Sequence, residues 1–432
     1  FGNQTISDIG VSFFTQAGPV DNYLYLRIPG TTPPTEVPVP ATPYNAGDII
    51  GSSTVIYFGP STAFMDGGLS QGTNYSYAIF ASTGSGPTVN YLTTAPLTGT
   101  SQTIGFPPSG PSSMYFSNVD ATTLTLNWTD GGGGTTGFLV VAAPNSPTTG
   151  VPTDGLIYTP GNSLGDGIVV YSGPNLTVDD FGLTPETLYF YTVYAYSGTP
   201  GLYAYNTASP AVAGMYTLAY KPIDQAVNFS VFNQTTSSFD INFQDNANIP
   251  TGYLVLGLNG ATPPSEVPSN GVDYPAGSNL GSAFVVYNGP ATALSFTSLP
   301  TGYYESFTIY SYNGTAPYTN YLTTSPLTGT AITFDNPPGG PSSMAFANKD
   351  DVSVDVSWQA GVNATGYVVL AKANGPSTGI PSVGTQYNVG DFIGDGVVVY
   401  DGPSSSFTAS GLSPLTTYFF TVYAYTGLGS VT

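Results

Sequence analysis

The 432-residue chain contains no cysteine and no histidine, and it has only four cations, Arg27, Lys221, Lys349 and Lys372. Each absence closes off a class of chemistry. Without cysteine there is no disulfide, no thiolate nucleophile and no zinc–thiolate site. Without histidine there is no Ser-His-Asp arrangement, no imidazole acid–base work and no use of the commonest metal ligand. Four cations against 25 Asp and Glu leave a formal charge of −21. Such a chain cannot neutralise a phosphate backbone, so nucleic acid is excluded as a partner. No run of about 18 apolar residues occurs, and no membrane span is expected. The first residues, Phe1-Gly2-Asn3-Gln4, carry no signal-peptide pattern.

The composition that remains is that of a folded β protein. A disordered acidic chain is poor in apolar and aromatic residues, whereas here 41% are hydrophobic and 14% aromatic, with 33 Tyr and 24 Phe. The 54 Gly and 38 Pro call for frequent turns, and the good helix formers are scarce. Both point to strands.

Self-comparison gives the organisation. Tyr91-Leu92-Thr93-Thr94 returns as Tyr321-Leu322-Thr323-Thr324, and Pro111-Ser112-Ser113-Met114 as Pro341-Ser342-Ser343-Met344. Both pairs are offset by 230 residues. Inside each such unit lies a weaker repeat of half the length. Tyr44, Gly47 and Gly51 precede Tyr57-Phe58-Gly59-Pro60, and the pattern recurs from Tyr158, Tyr274 and Tyr387. The expected modules are therefore 1–107 (type A, incomplete at its start), 108–220 (type B), 221–337 (type A) and 338–432 (type B, incomplete at its end). The window is expected to be a stretch of a longer tandem array.

Within a module the pattern is that of a sandwich. Leu124, Leu126 and Trp128 alternate with polar residues, as do Tyr189, Tyr191 and Val193 further on, and turn signals return every 8–12 residues or so. On these residues the sequence resembles fibronectin type III domains. Trp128 and Trp358 match the tryptophan of that family's second strand. Leu183, Pro185, Tyr189 and Val193, and again Leu412, Pro414, Tyr418 and Val422, match its Leu-x-Pro-x-x-x-Tyr-x-x-x-Val pattern. The resemblance implies a tyrosine corner at Tyr189 and Tyr418, and at Tyr75 by spacing. Type A modules depart from the family: Phe13 and Phe243 replace the tryptophan, and Glu305 takes the corner position, so that either Tyr304 substitutes or that corner is absent. The expected fold is all-β, four tandem seven-stranded immunoglobulin-like or fibronectin type III-like sandwiches in an ABAB array. The long segment before each Gly-Pro resembles extended modules of secreted surface proteins of the Bacteroidota.

Candidate sites are few. Asp166 and Asp395 sit in matching Gly-Asp-Gly turns, and Asp179-Asp180 and Asp350-Asp351 are adjacent pairs. They are the Ca²⁺ candidates, but no Asp-x-Asp-x-Asp-Gly spacing supports them, and a solvated turn explains Asp-Gly by itself. No other cofactor is called for. Tyr44, Tyr158, Tyr274 and Tyr387 recur in every module. They read as plugs that pack a long loop on the sandwich with the hydroxyl in water, ahead of a sugar platform. Tyr194, Tyr196, Tyr203 and Tyr205 are denser and less repeated, as a contact surface is. The four glutamates, Glu36, Glu186, Glu266 and Glu305, read as surface residues, not as a glycosidase pair. No catalytic residue is assigned.

The junctions Phe106-Pro107-Pro108 and Asn336-Pro337-Pro338 favour short, stiff, extended spacing. Four modules of about 35–40 Å each then give a rod of about 140–160 Å. The expected role is a structural segment of an extracellular filament, stalk or adhesin at a cell surface. The alternatives are an array of glycan- or protein-binding modules, or a non-catalytic accessory region of a large secreted hydrolase. Self-association is the expected partnership, since edge strands lack lysine as a gatekeeper, with a surface glycan or protein as the other candidate partner.

Overall fold

The computed structural model describes residues 1–15 and 18–427. These residues form antiparallel strands, with one 3₁₀ turn at Gly86–Thr88. The chain is an all-β tandem array of sandwiches. It divides into two compact units, Phe1–Ala219 and Tyr220–Thr432, each holding two pairs of facing sheets.

The second sheet pair is the most complete example. Its smaller sheet runs in the order Thr177–Phe181, Thr123–Thr129, Ser112–Ser117. Its larger sheet runs Ser163–Leu164, Gly167–Gly173, Gly137–Pro144, Leu188–Ser197, and Ala211–Tyr216 pairs with the far side of Leu188–Ser197. Leu124, Leu126 and Trp128 from the smaller sheet meet Phe138, Val140, Tyr191 and Val193 from the larger one in a shared core. Trp128 packs edge-on against Phe138 at 5.6 Å. Trp358 repeats this against Tyr367 at 5.2 Å. In the type A pairs Phe13 meets Tyr23 at 4.9 Å and Phe243 meets Tyr253 at 5.0 Å. An aromatic pair across these two strands recurs in all four sheet pairs.

The apolar run Phe138-Leu139-Val140-Val141 has a different cause from the alternating strands. This strand is buried on both faces. Phe138, Val140 and Ala142 point into the core between the sheets, while Leu139 and Val141 join a second cluster on the outer face. The same division recurs in the other three pairs, where outer clusters form around Leu24 and Leu26, Leu254 and Leu256, and Val368 and Leu370.

A β-bulge lets the neighbouring strand serve both clusters. Pairing slips by one residue between Val140 and Val141, opposite Tyr171 and Val169. Equivalent slips occur at Tyr25/Leu26, Val255/Leu256 and Val369/Leu370. The extra residue inverts the side-chain alternation. Val169 therefore enters the outer cluster, whereas Tyr171, two residues on, packs with the inter-sheet core.

The recurring Tyr-x-Gly-Pro follows from this. The Tyr171 hydroxyl folds back over the strand end and accepts the Asn175 N–H at 2.7 Å. Tyr57, Tyr287 and Tyr400 accept the N–H groups of Ser61, Ala291 and Ser404 in the same way. A Cβ at Gly173 would lie 2.6 Å from the Tyr171 hydroxyl, and one at Gly402 would lie 2.8 Å from that of Tyr400. Glycine is there to admit the phenol.

Linkers are held by the sheet pair that follows them. Ser197 Oγ donates to the Phe106 carbonyl at 2.5 Å, Asn313 Nδ2 to Tyr220 at 2.8 Å, and Thr426 Oγ1 to Asn336 at 3.1 Å. In the first unit Asn206 adds a bond to the Pro108 carbonyl at 2.8 Å, and Ile104, 1% exposed, packs beside Gly155. This explains why one compact unit holds two sheet pairs.

Trp128→Ala removes a large buried ring and is expected to destabilise its sheet pair by about 3–5 kcal/mol. Amide exchange should speed up across 112–216 and stay unchanged across 342–425. Gly173→Ala should cost about 1–3 kcal/mol by displacing the Tyr171 ring, measured by denaturant unfolding of the full chain.

Candidate functional site

The most distinctive local chemistry lies where a long loop covers the outer face of each larger sheet. In the second module the loop spans 145–162 and returns through the ribbon Ser163–Leu164 with Gly167–Gly173. Tyr158 packs into the outer cluster beneath it. Tyr44, Tyr274 and Tyr387 do the same in the other modules. Two glycines shape the return in every copy. Gly47 and Gly51, Gly161 and Gly165, Gly277 and Gly281, and Gly390 and Gly394 all have positive φ, between 59° and 102°, which a side chain disfavours.

A loop lying on a sheet has backbone groups with no strand partner, and these need hydrogen bonds from elsewhere. Tyrosines supply them. The Tyr158 hydroxyl accepts the Thr153 N–H at 3.0 Å, and Tyr44, Tyr274 and Tyr387 accept those of Val39, Ser269 and Ser382 at 2.9–3.1 Å. These hydroxyls are therefore engaged by the backbone rather than left to water. From the sheet side, Tyr194 donates to the Gly150 carbonyl at 2.9 Å, Tyr310 to Glu266 at 2.8 Å and Tyr423 to Gly379 at 2.8 Å. Tyr91, Tyr205 and Tyr321 donate to loop carbonyls of Thr42, Leu156 and Val272.

A carboxylate latch closes the loop, and its polarity is reversed between module types. In type A modules the acid is on the loop. Glu36 accepts the N–H and hydroxyl of Ser52 in the ribbon turn, with its other oxygen on the Ser53 hydroxyl at 2.9 Å. Glu266 holds Ser282 likewise. In type B modules the acid is on the turn. Asp166 accepts the Thr149 N–H at 2.7 Å and the hydroxyls of Thr148 and Thr149 at 3.1 Å. Asp395 accepts from Thr378 and Ser377, and the Lys372 ammonium pairs with it at 2.6 Å.

These donors favour the charged form. The Ser52 hydroxyl, then its N–H, hold Glu36 down to about 2. The Ser282 hydroxyl lowers Glu266 and the Thr149 N–H lowers Asp166. Lys372, followed by the Thr378 N–H, holds Asp395 well below the usual carboxylate range.

The Ca²⁺ candidates Asp166 and Asp395 thus each direct Oδ1 at loop donors, and among the described residues no group of three acids converges. Of the paired acids, Asp179 takes the Thr125 hydroxyl at 2.6 Å, and Asp180 takes the Tyr191 hydroxyl at 2.8 Å inside the module. Asp350 caps a turn through the N–H groups of Val352 and Ser353.

Tyr75, Tyr189 and Tyr418 form corners, accepting the N–H groups of Ser70, Thr184 and Ser413 at 2.9–3.1 Å. The third module has none. Tyr304 is 44% exposed, and it is Tyr303 that packs against the core, its hydroxyl donating to Glu305 at 2.6 Å.

Two further expectations need correction. Glu305 is not a surface residue: it is 2% exposed and lies in the strand Tyr304–Asn313. In the first module the matching position is Tyr75, with the Arg27 guanidinium 5.4 Å over its ring. The third module has Gly257 in place of Arg27, and the Glu305 carboxyl occupies the space that a Cβ there would need. Burial raises the Glu305 pKa. Of the tyrosines 194, 196, 203 and 205, three are core residues, not surface ones, and Tyr203 is partly exposed. Tyr194, Tyr196 and Tyr205 are buried in the outer cluster with Tyr203 against them, and the rings of Tyr196 and Tyr203 stand 4.4 Å apart. The latch glutamates, Glu36 and Glu266, were missed as a pair with Ser52 and Ser282. The available signal was the exchange of acid and hydroxyl at one turn position between module types.

The two kinds of carboxylate give opposite pH dependences. Glu36 is depressed from 4.5 to about 2, so its stabilisation is present above the unfolded value and fades as pH falls through the folded one. Glu36→Gln should lower the thermal midpoint at pH 7, with the gap closing toward pH 2. Glu305 is raised from 4.5, so its charged form destabilises the fold at neutral pH. Glu305→Gln should raise the midpoint at pH 7 and have little effect below pH 4.5. Melting curves of both variants at the two ends of this range check the signs.

No protein-family model matches the sequence, and no curated protein matches it. Among solved structures, a two-domain fibronectin type III segment of chicken tenascin aligns over 52% of this chain and all of its own length, at 16% identity and a TM-score of 0.26. The first to third fibronectin domains of chicken CNTN1 align over 76% of this chain and 95% of theirs, at 13% identity and a TM-score of 0.32. The central fibronectin III array of RIM-binding protein aligns over 60% of this chain and 83% of its own, at 14% identity and a TM-score of 0.17.

Proposed function

We propose that the chain is a structural repeat segment of an extracellular filament, stalk or adhesin, exported and displayed at a cell surface, with modules at 1–107, 108–220, 221–337 and 338–432. One observation carries this reading. The recurring polar chemistry is spent inside each module: the latch carboxylates and the recurrent tyrosine hydroxyls hold a loop on a sheet. A repeat selected for catalysis would aim such groups into a common cleft. No catalytic role, cofactor or metal is assigned, since each latch acid is bound by the chain's own donors.

Other features support extension as the task. Each sheet pair has its own core, so stability depends little on copy number while reach grows with it. Linkers are pinned by hydrogen bonds to the next sheet pair. The absence of Cys and His makes such a segment indifferent to redox state. Lateral association through edge strands belongs to this proposal. Thr177–Phe181 is paired on one side only and carries no lysine. Among the described residues no helix is long and apolar enough to cross a membrane.

A second reading, glycan binding, is favoured by a groove of about 460 Å³ in the second module, where Tyr158, Tyr196 and Tyr203 meet Pro160, Pro174 and Thr159. Tyr203→Ala would abolish sugar binding there and leave a purely structural segment unaffected.

An extended segment is expected to show a maximum dimension of about 140–160 Å in small-angle scattering. A value below about 100 Å would count against the proposal. A chain that stays monomeric in analytical ultracentrifugation at high concentration would remove the lateral association from it.

A further inference from the structure

The outer cluster of the second module differs from its counterparts at two places. One is Ser172, which stands opposite Leu139. The residues in the same register are Phe58 opposite Leu24, Asn288 opposite Leu254 and Asp401 opposite Val368. Each of these larger side chains engages a tyrosine of its own cluster. Phe58 packs on Tyr91 at 6.1 Å, Asn288 Nδ2 donates to the Tyr274 carbonyl at 3.0 Å, and Asp401 accepts the Tyr425 hydroxyl at 3.0 Å. The other place is Tyr203, two residues before Tyr205, the strand partner of Tyr196. Val89 and Thr319 hold it in the first and third modules, before Tyr91 and Tyr321. Both are buried, whereas Tyr203 is partly exposed. A small residue at Ser172 and a large ring at Tyr203 thus border the groove of about 460 Å³.

The lining is made of flat rings with hydroxyls between them. The Tyr196 hydroxyl occupies the space that a Cβ on Gly137 would need, so this ring lies across the neighbouring strand. Tyr203 stands against it with the ring centroids 4.4 Å apart. Pro160 and Pro174 add two apolar rings, and Thr136, Thr159 and Ser172 bring hydroxyls. A pyranose has the matching character, with an apolar C–H face and a hydroxylated edge, and the volume is that of a small-molecule site. Charge decides which pyranose. No lysine or arginine occurs between Arg27 and Lys221, so the second module has no positive side chain. The Asp154 carboxylate lies beside Tyr205, whose N–H it accepts at 2.8 Å. An acidic sugar here would meet no cation of this module and a charge of its own sign, which opposes binding.

We propose that this groove is a subsite for one uncharged pyranose residue of a saccharide chain, stacked on Tyr203 and bounded by Tyr158 and Tyr196. The proposal rests on the glycan-binding reading of the groove and adds to it the class of sugar and the residue that makes room for it. Ser172 is that residue. The sugar takes the space that Phe58, Asn288 and Asp401 use to pack or bond within their own modules. Tyr203 supplies the stacking face that Val89 and Thr319 lack. Selection against uronates and sulfated sugars follows from the missing cation, because recognition of a carboxylate or sulfate calls for Arg or Lys at the site. A segment built for extension thereby carries one recognition point per 230-residue unit, on the second module type.

The test titrates the full 432-residue chain with neutral gluco- and manno-configured hexasaccharides. A hexauronate and a sulfated hexasaccharide serve as acidic probes. Binding is followed by calorimetry and by tyrosine fluorescence at fixed ionic strength. A neutral probe should saturate with a Kd of about 0.1–1 mM, and the acidic probes should bind at least about tenfold more weakly. Ser172→Phe and Tyr203→Val install the residues that the first module carries at these places, Phe58 and Val89, so both variants are expected to fold. Each should weaken binding at least about tenfold while amide protection across 137–197 is retained. Equal binding of the acidic probes would overturn the assignment to an uncharged sugar and leave the glycan reading standing. Saturation that survives Ser172→Phe would put the sugar elsewhere and overturn the site. No saturation by any saccharide up to about 10 mM would overturn both, as would tighter binding of a hexaproline peptide that is lost in Tyr203→Val.

Discussion

The structure depends on one constraint: the central strand of each larger sheet holds a continuous apolar run that has to be covered on both faces. An ordinary sandwich covers one. Here the second face is closed by the chain itself, through the long segment between two neighbouring strands. Gly137–Pro144 shows the result, with its first seven residues buried and alternate side chains in two different clusters. The β-bulge beside it feeds both clusters from a single neighbouring strand. Without the loop, Leu139, Val141 and Val169 would form an apolar patch on every module, the kind of surface that drives association.

Covering a sheet with a loop raises a hydrogen-bonding problem, and its solution accounts for much of the composition. Phenol hydroxyls reach where a ladder cannot, donating to loop carbonyls from the sheet and accepting loop N–H groups from the plug positions. A tyrosine also fills the space with a ring, so one residue both packs and satisfies. The carboxylate latch fixes the return turn by the same economy. The reversal of its polarity shows that the constraint lies on the pair, not on either position: an acid facing a hydroxyl and an N–H serves whichever side carries it. Glu305 marks a different solution. There the loss of Arg27's counterpart to Gly257 left room that a carboxyl fills, and its burial penalises the charged form.

These features fit an array in which each module is closed on itself and neighbours are joined by pinned linkers. The composition holds no Cys and no His, and the latch carboxylates are bound locally. Three sheet pairs have their last strand seated by a buried threonine, Thr103, Thr217 and Thr333.

The sequence by itself determined the β class, the 230-residue period and its halves, because alternation, turn residues and verbatim repeats are local properties of the chain. It also marked Tyr44, Tyr158, Tyr274 and Tyr387 as packing residues, the Tyr-x-Gly-Pro signature as recurrent, and Trp128 and Trp358 as structural. It did not reveal the direction in which the tyrosine hydroxyls point, the latch joining Glu36 to Ser52, or the burial of Glu305. Each of these joins residues that are distant in sequence, or depends on space vacated by another side chain. The apolar run at Phe138–Val141 is a strand whose second buried face was invisible, since a local pattern does not say what lies on either side of a sheet. That was decided only by the tertiary structure, when the loop folded back and gave the strand its second interior.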